Sequence, residues 1–182
     1  MRAALWIALA LAVAYVALRR GAVLDDAGQI VMAAEDIFYA TTQDARENEE
    51  RYRGHIAAAE ARSGLPEGLL HRLIYQESRF RTDIITGALV SSAGAVGIAQ
   101  IVPRWHPGVN ALDPEQSIDY AAGYLARLHN RFGSWQQALA AYNWGPSNVA
   151  RHVQEFGGLN LDALPPETRN YVAQISGDVG VA

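Results

Sequence analysis

The sequence predicts a mainly α-helical protein, in which one compact helical domain follows an apolar N-terminal segment and a polar helix. Apolar residues recur three and four positions apart between recognisable helix start and stop signals, and little of the chain alternates as strands do. Half of the 182 residues are apolar, enough for the core of one ordinary domain with extensions.

The N-terminal segment is uncharged from Ala3 to Leu18 and is flanked by arginines. As a helix this run would be about 24 Å long, and the apolar residues 21–24 would bring it closer to the ~20 residues that span a bilayer. We therefore expect a membrane anchor over residues 1–24. A cleaved signal peptide is the alternative, because Ala12-Val13-Ala14 offers a small-x-small site, but no polar region precedes that site.

Residues 25–62 are predicted to form a helical spacer, since their second half is polar on most helical faces. A compact domain is predicted over residues 63–182. Its expected helix boundaries are Pro66, the N-cap pair Asp113-Pro114, the capping box that begins at Ser134, the break at Gly145-Pro146, the start at Pro165-Pro166 and the stop at Gly177.

One carboxylate interrupts an apolar helical stripe. Leu70, Leu73 and Ile74 share a helix face with Glu77, because positions three and four apart are neighbours. Burial would raise the pKa of this carboxyl, and a carboxyl that stays protonated near neutral pH can act as a general acid. The alternative is a helix-end glutamate paired with Arg81 four residues on.

Further polar and aromatic groups follow at breaks in the helical pattern. Gln100 comes after a glycine-rich stretch, and Tyr142, Asn143 and Trp144 lie at a predicted helix end. Flat rings beside amides suit a carbohydrate, which has apolar faces and hydroxyl edges, although such rings are also common in half-buried packing. Tyr171 adds a phenol in the last helix.

Composition excludes several kinds of site. The chain has no cysteine and therefore no thiol chemistry. Its five histidines are scattered without metal-ligand spacing, so we expect no metal and no cofactor. No basic block is long enough to indicate binding to nucleic acid.

Four ordered motifs resemble those of soluble-lytic-transglycosylase-type (SLT) catalytic domains, which are related to goose-type lysozyme. The resemblance covers about residues 65–175. The motifs are Glu77-Ser78-x-Phe80, Gly94-x-x-Gly97-Ile98-Ala99-Gln100-Ile101-x-Pro103, Ala140-Ala141-Tyr142-Asn143-x-Gly145-Pro146, and Pro166-Glu167-Thr168-x-x-Tyr171-Val172.

The resemblance implies a lysozyme-like α-rich fold, with a lytic transglycosylase catalytic domain at 63–182. Such enzymes cleave the β-1,4 bond between N-acetylmuramic acid and N-acetylglucosamine in peptidoglycan and leave a 1,6-anhydro end. Glu77 would be the acid and then the base. Gln100, Tyr142, Asn143 and Tyr171 would line the cleft or orient the acid, and Ser78 would support the substrate or the local structure.

Two alternatives remain open. A lysozyme-type muramidase would use Asp83, the nearest other acid in sequence, to place a water molecule, because hydrolytic glycosidases usually need two carboxyls. A degenerate sugar-binding module without activity is the other. Relative to the family pattern, Ala99 replaces a common methionine, which predicts a wider or weaker subsite, and Arg81-Thr82 replace a common Asn-Pro.

The implied partners are peptidoglycan glycan strands and, through residues 1–24, a membrane. The resemblance places the catalytic domain on the periplasmic or cell-wall side of that membrane. Proteins of an envelope machine such as a secretion apparatus are possible partners, and a phage virion component delivered to the host envelope is the alternative setting.

Overall fold

The computed structural model describes the backbone of residues 27–181 and the side chains of residues 40–181. The predicted anchor at residues 1–24 lies outside these described residues. Within the described part of the chain, no helix combines the length and the apolar character needed to cross a membrane.

The first described helix, α1, runs from Ala27 to Ser63 and so confirms the predicted helical character of this region. The chain divides into two compact units, Met1–Glu47 and Asn48–Ala182, and this helix contributes to both. Its last turns belong to the second unit, where Ile56 and Ala59 are buried. The predicted division between a spacer at 25–62 and a catalytic domain at 63–182 stays a prediction about function.

In its described part, the second unit has helices as its regular elements, which confirms the mainly α class. Its further elements are α2 Leu69–Ser78, the single-turn α3 Thr82–Ile85, α4 Pro114–Phe132, α5 Trp135–Trp144, α6 Pro146–Phe156, a 3₁₀ turn Leu161–Ala163 and α7 Pro166–Val179. The predicted caps form: Asp113 accepts a hydrogen bond from the Gln116 amide at 3.1 Å, and Ser134 accepts one from Gln137 at 3.2 Å.

Helix α2 begins at Leu69, three residues later than Pro66 predicted, because a carboxylate from α1 caps it. Glu60 is buried and accepts backbone hydrogen bonds from Gly68, Leu70 and His71 at 3.1, 2.7 and 3.2 Å. These amides are among those that a helix start leaves without an internal partner. Glu60 therefore determines where α2 starts.

The core is formed by the apolar faces of these helices. The apolar residues of α4 that recur three and four positions apart are all buried: Ile118, Ala121, Ala122, Leu125 and Leu128. Leu70, Leu73 and Ile74 of α2 have no exposed surface. Helix α7 packs against α2 and α5. It ends at Val179 with Gly180 at φ 73°, so the predicted stop at Gly177 is wrong.

The connection between α3 and α4 is a loop with one isolated bridge, Val96 to Ile101. Gly97 has φ 76°, and a Cβ atom there would lie 1.8 Å from the carbonyl oxygen of Ala111. Only glycine fits so close an approach of two backbone segments. This packing fixes the turn that carries Gln100.

Candidate active site

Glu77 lies in the last turn of α2 and is half-buried. The Tyr171 hydroxyl of α7 donates a 2.6 Å hydrogen bond to its Oε1. Burial raises the pKa of the Glu77 carboxyl from 4.5 to about 7; the Tyr171 hydrogen bond lowers it, and the Glu167 charge raises it. The carboxyl therefore keeps a substantial protonated fraction near neutral pH, as a general acid requires.

Tyr171 is well suited to remain the donor in this bond. Its exposed fraction is 4%, and burial, together with the Glu77 charge, raises the pKa of its hydroxyl well above the usual range. Since Oε1 accepts from Tyr171, Oε2 is the oxygen that can carry the acidic proton toward a ligand.

The chain turns sharply after Glu77. Arg79 and Phe80 have φ values of 49° and 56°, a left-handed conformation that costs about 1–2 kcal/mol per residue without glycine. Ser78 is completely buried; its hydroxyl donates to the Ile74 carbonyl and accepts from the Phe80 amide, both at 3.2 Å. Of the two roles predicted for Ser78, this position favours support of the local structure.

Glu77 opens onto one lobe of a two-lobed cleft. We call this cavity of about 570 Å³ the acid lobe; its walls include Gln76, Glu77, Glu167, Asn170, Tyr171 and Gln174. A neighbouring cavity of about 650 Å³, the aromatic lobe, is lined by Trp105, His106, Tyr120, Tyr124 and Trp144 among others. Gln100, Tyr142 and Asn143 line both lobes. The structure therefore brings together all the predicted site residues except Ser78.

The three shared side chains are held by the surrounding backbone and by α7. Tyr142 donates to the Ala99 carbonyl at 2.9 Å, and Gln100, at φ 48°, donates to the Gly97 carbonyl at 3.1 Å. The Oδ1 atom of Asn143 accepts from the Thr168 hydroxyl at 2.7 Å, which leaves the amide NH₂ group as the part that can donate to a ligand.

Rings form much of the aromatic lobe. His106 Nδ1 lies 2.6 Å from the Tyr120 hydroxyl, and the Arg127 guanidinium lies over the Tyr120 and Tyr124 rings at 5.6 and 5.7 Å. Burial, followed by the Arg127 charge, lowers the pKa of His106. The lobe therefore offers neutral, flat surfaces of the kind that pack against sugar faces.

The carboxylate that accompanies Glu77 in the acid lobe is Glu167, and not Asp83, the acid that is nearest in sequence. Asp83 lines neither lobe, and Arg81 holds it through two hydrogen bonds of 3.0 and 2.5 Å. Glu167 lines the acid lobe instead. Sequence reasoning missed this role, although the i, i+4 spacing from Glu167 to Tyr171 places both on one face of α7.

Ala99 is fully buried and lines neither lobe, and the wider or weaker subsite expected from this substitution stays a prediction. Within the residues that the structure describes, no three His, Asp or Glu side chains are grouped as metal ligands would be.

Part of the chain is similar in sequence to known proteins. Residues 54–163 match the transglycosylase SLT domain family. The chain is 38% identical over 109 residues to membrane-bound lytic murein transglycosylase F 2 of Alkalilimnicola ehrlichii, covering 54% of this chain and 23% of that protein. It is 33% identical over 121 residues to membrane-bound lytic murein transglycosylase F of Nitrosospira multiformis, covering 61% and 25%.

A solved structure shares the fold. An inactive mutant of the lytic transglycosylase Slt from Pseudomonas aeruginosa superposes with a TM-score of 0.55 at 23% identity, covering 68% of this chain and 22% of that one. The chain spans about a quarter of the length of the curated relatives it matches. Because the family match covers more than half of the chain, the protein belongs to the SLT transglycosylase domain family.

Proposed function

We propose that the protein is a peptidoglycan lytic transglycosylase that cleaves the β-1,4 bond between N-acetylmuramic acid and N-acetylglucosamine. The observation that carries this proposal is Glu77, a half-buried carboxyl on a cavity wall whose pKa is raised to about 7. The family match and the printed names of the relatives support the same reaction class.

The first step is protonation of the leaving group. Oε2 of Glu77 donates its proton to the glycosidic oxygen as the bond from that oxygen to C1 of muramic acid breaks. Tyr171 keeps its hydrogen bond to Oε1 and stabilises the carboxylate that forms, because charged acceptors bind donors more strongly than neutral ones.

The second step closes a ring within the substrate. The carboxylate of Glu77 takes the proton from the C6 hydroxyl of muramic acid while O6 bonds to C1. The product is a 1,6-anhydro end, Glu77 is protonated again, and no water is consumed. A nucleophile already attached to the substrate has a high effective concentration, so one carboxyl suffices.

A muramidase that consumes water is the second candidate, and Glu167 is the observation that favours it. This carboxylate lines the same lobe as Glu77 and interacts electrostatically with it. Retaining and inverting hydrolases both use a second carboxylate. A sugar-binding module without turnover is the third candidate. The raised pKa of Glu77 argues against it, because binding alone needs no such acid.

The test is product analysis with a matched set of variants. The full chain, Glu77→Gln and Glu167→Gln are each incubated with purified peptidoglycan, and released fragments are analysed by mass spectrometry. We expect anhydro ends from the wild type and from Glu167→Gln, and none from Glu77→Gln. Water-containing reducing ends, lost in Glu167→Gln, would establish the muramidase instead, and binding without release would establish the sugar-binding module.

The cellular setting rests on the N-terminal segment. We propose that residues 1–24 anchor the protein in a membrane, with the catalytic unit on the periplasmic or cell-wall side, where it opens the wall locally for a secretion apparatus or during phage entry. The relatives named as membrane-bound support the anchor. Deleting residues 1–24 should release the protein from membranes into the soluble fraction. If the deletion variant stays in the membrane fraction, the anchor is refuted.

A further inference from the structure

The strained turn after Glu77 is held from outside its own helix. Asn48 of α1 uses both hydrogens of its side-chain amide: one goes to the Phe80 carbonyl at 3.0 Å and one to the Thr82 hydroxyl at 2.9 Å. Phe80 is the second of the two left-handed residues that follow Glu77 and Ser78. Asn48 therefore bridges the residues on either side of Arg81.

The neighbouring residue of α1 also contacts α2. The Glu49 carboxylate lies 3.0 Å from Nε2 of His71, and the His71 ring lies against the buried Phe80 ring with centroids 5.5 Å apart. Asn48 thus restrains the carbonyl of Phe80. His71, which is held by Glu49, restrains the Phe80 side chain. Both α1 residues precede the segment that matches the family, which begins at residue 54.

We infer that Asn48 is a positioning residue for the proposed reaction: it fixes the left-handed turn that ends α2 and thereby keeps the Glu77 carboxyl against Tyr171. Left-handed non-glycine residues persist only where surrounding contacts over-determine them. Helix ends fray readily, and Glu77 is the next-to-last residue of α2.

Two side chains hold the backbone of Phe80 in this turn. The Phe80 amide is held by Ser78 and its carbonyl by Asn48. Without Asn48, the Phe80 carbonyl and the Thr82 hydroxyl lose this donor, and the last turn can relax toward ordinary backbone angles. The Glu77 carboxyl would then move away from the Tyr171 hydroxyl and toward water.

The inference rests on the proposed function. Its test therefore measures both the activity of the variants and a property that does not depend on activity, the pKa of the Glu77 carboxyl. In the full chain, Asn48→Ala removes the amide, while Asn48→Asp keeps its size but cannot donate when ionised. Arg51→Ala is the matched control, because Arg51 is an exposed residue less than one helical turn further along α1. The variants are compared by kcat and KM on peptidoglycan, corrected for the folded fraction measured by circular dichroism.

We expect both Asn48 variants to lower kcat by roughly ten- to a hundredfold with KM nearly unchanged, since misplacing a catalytic group by about 1 Å has effects of this size. We also expect the alkaline limb of the Asn48→Ala activity profile to move to lower pH. Hydration lowers the pKa of Glu77 and loss of the Tyr171 hydrogen bond raises it, but burial has the larger effect on this carboxyl, so the net change is a lower pKa. Arg51→Ala should match the wild type in kcat and in the position of the alkaline limb. Wild-type kcat per folded molecule and an unmoved alkaline limb in the Asn48 variants would overturn the inference.

A carbon-13 NMR titration of the Glu77 carboxyl separates this inference from the proposed function. If the wild type shows no turnover, the proposed function fails, but the titration still reads the position of Glu77. A lower pKa in Asn48→Ala than in the wild type and Arg51→Ala supports the inference, and an identical pKa in all three overturns it.

Discussion

Replacing Tyr171 by phenylalanine removes one hydroxyl from the site and keeps the ring. That hydroxyl donates the 2.6 Å hydrogen bond to Glu77 Oε1, and this bond lowers the pKa of the carboxyl against the effect of burial. A hydrogen bond to a charged group contributes about 1.5–3 kcal/mol and one to a neutral group about 0.5–1.5 kcal/mol. The ionised form of Glu77 therefore loses roughly 1.4 kcal/mol more than the protonated form, which corresponds to about one pKa unit.

The assay is the pH dependence of kcat/KM on peptidoglycan, since its limbs report the pKa values of the free enzyme. Activity that needs protonated Glu77 falls as pH rises through that pKa, which is about 7 in the wild type. In Tyr171→Phe the alkaline limb should move up by about one unit, even if the maximal rate falls because the carboxylate intermediate loses a donor.

Tyr142→Phe is the matched control for this shift. It also removes a hydroxyl from a tyrosine on the acid lobe, but that hydroxyl donates to the Ala99 carbonyl and not to Glu77. Its alkaline limb should stay at the wild-type position. An unmoved or lowered limb in Tyr171→Phe, or equal shifts in both variants, would refute this description of the acid.

Three further results are expected. In Glu77→Gln, urea unfolding should show a protein about 3 kcal/mol more stable than the wild type near pH 8 and equally stable near pH 4. The wild type loses this stability as pH rises from the unfolded pKa of 4.5 to the folded pKa of about 7, and each pKa unit corresponds to about 1.4 kcal/mol. Parallel pH curves for the two proteins would contradict the raised pKa. Glu167→Gln should move the alkaline limb of activity down, opposite to Tyr171→Phe, because a repelling charge is removed; an upward shift would contradict this electrostatic role. Gly97→Ala should lower the free energy of unfolding by about 3 kcal/mol or more. Gly94 has a similar φ but open space around it, so Gly94→Ala should lower this free energy by only about 1–2 kcal/mol. Equal losses in the two variants would refute the close approach of Gly97 to Ala111.

Much of the fold was predictable because local signals determine it. Asp113 and Ser134 start helices through hydrogen bonds to amides three residues away, and the apolar stripe of α4 is buried as its spacing indicates. The start of α2 could not be read locally, because Glu60, a residue of the preceding helix, caps it. Similarly, Gly177 resembles a helix stop, but α7 continues until Gly180 donates to the Ser176 carbonyl.

The sequence indicated which residues belong to the candidate site, but not which of their side chains bond to one another. The interrupted stripe made Glu77 a candidate with a structural alternative. The family motifs then indicated an acid at this position, together with Gln100, Tyr142, Asn143 and Tyr171. Which groups touch depends on helix packing, so the Tyr171 bond to Glu77 and the position of Glu167 on the same lobe required the structure. Asn48 had no local signal, because its partners lie more than thirty positions further along the chain.

The central claim is that Glu77 acts without a hydrolytic water. Digestion of peptidoglycan by the full chain in water enriched in oxygen-18, followed by mass spectrometry of the new muramic acid ends, tests it most directly. We predict anhydro ends that carry no label, and no release by Glu77→Gln. Reducing ends that carry the label, or full release by Glu77→Gln, would contradict the account.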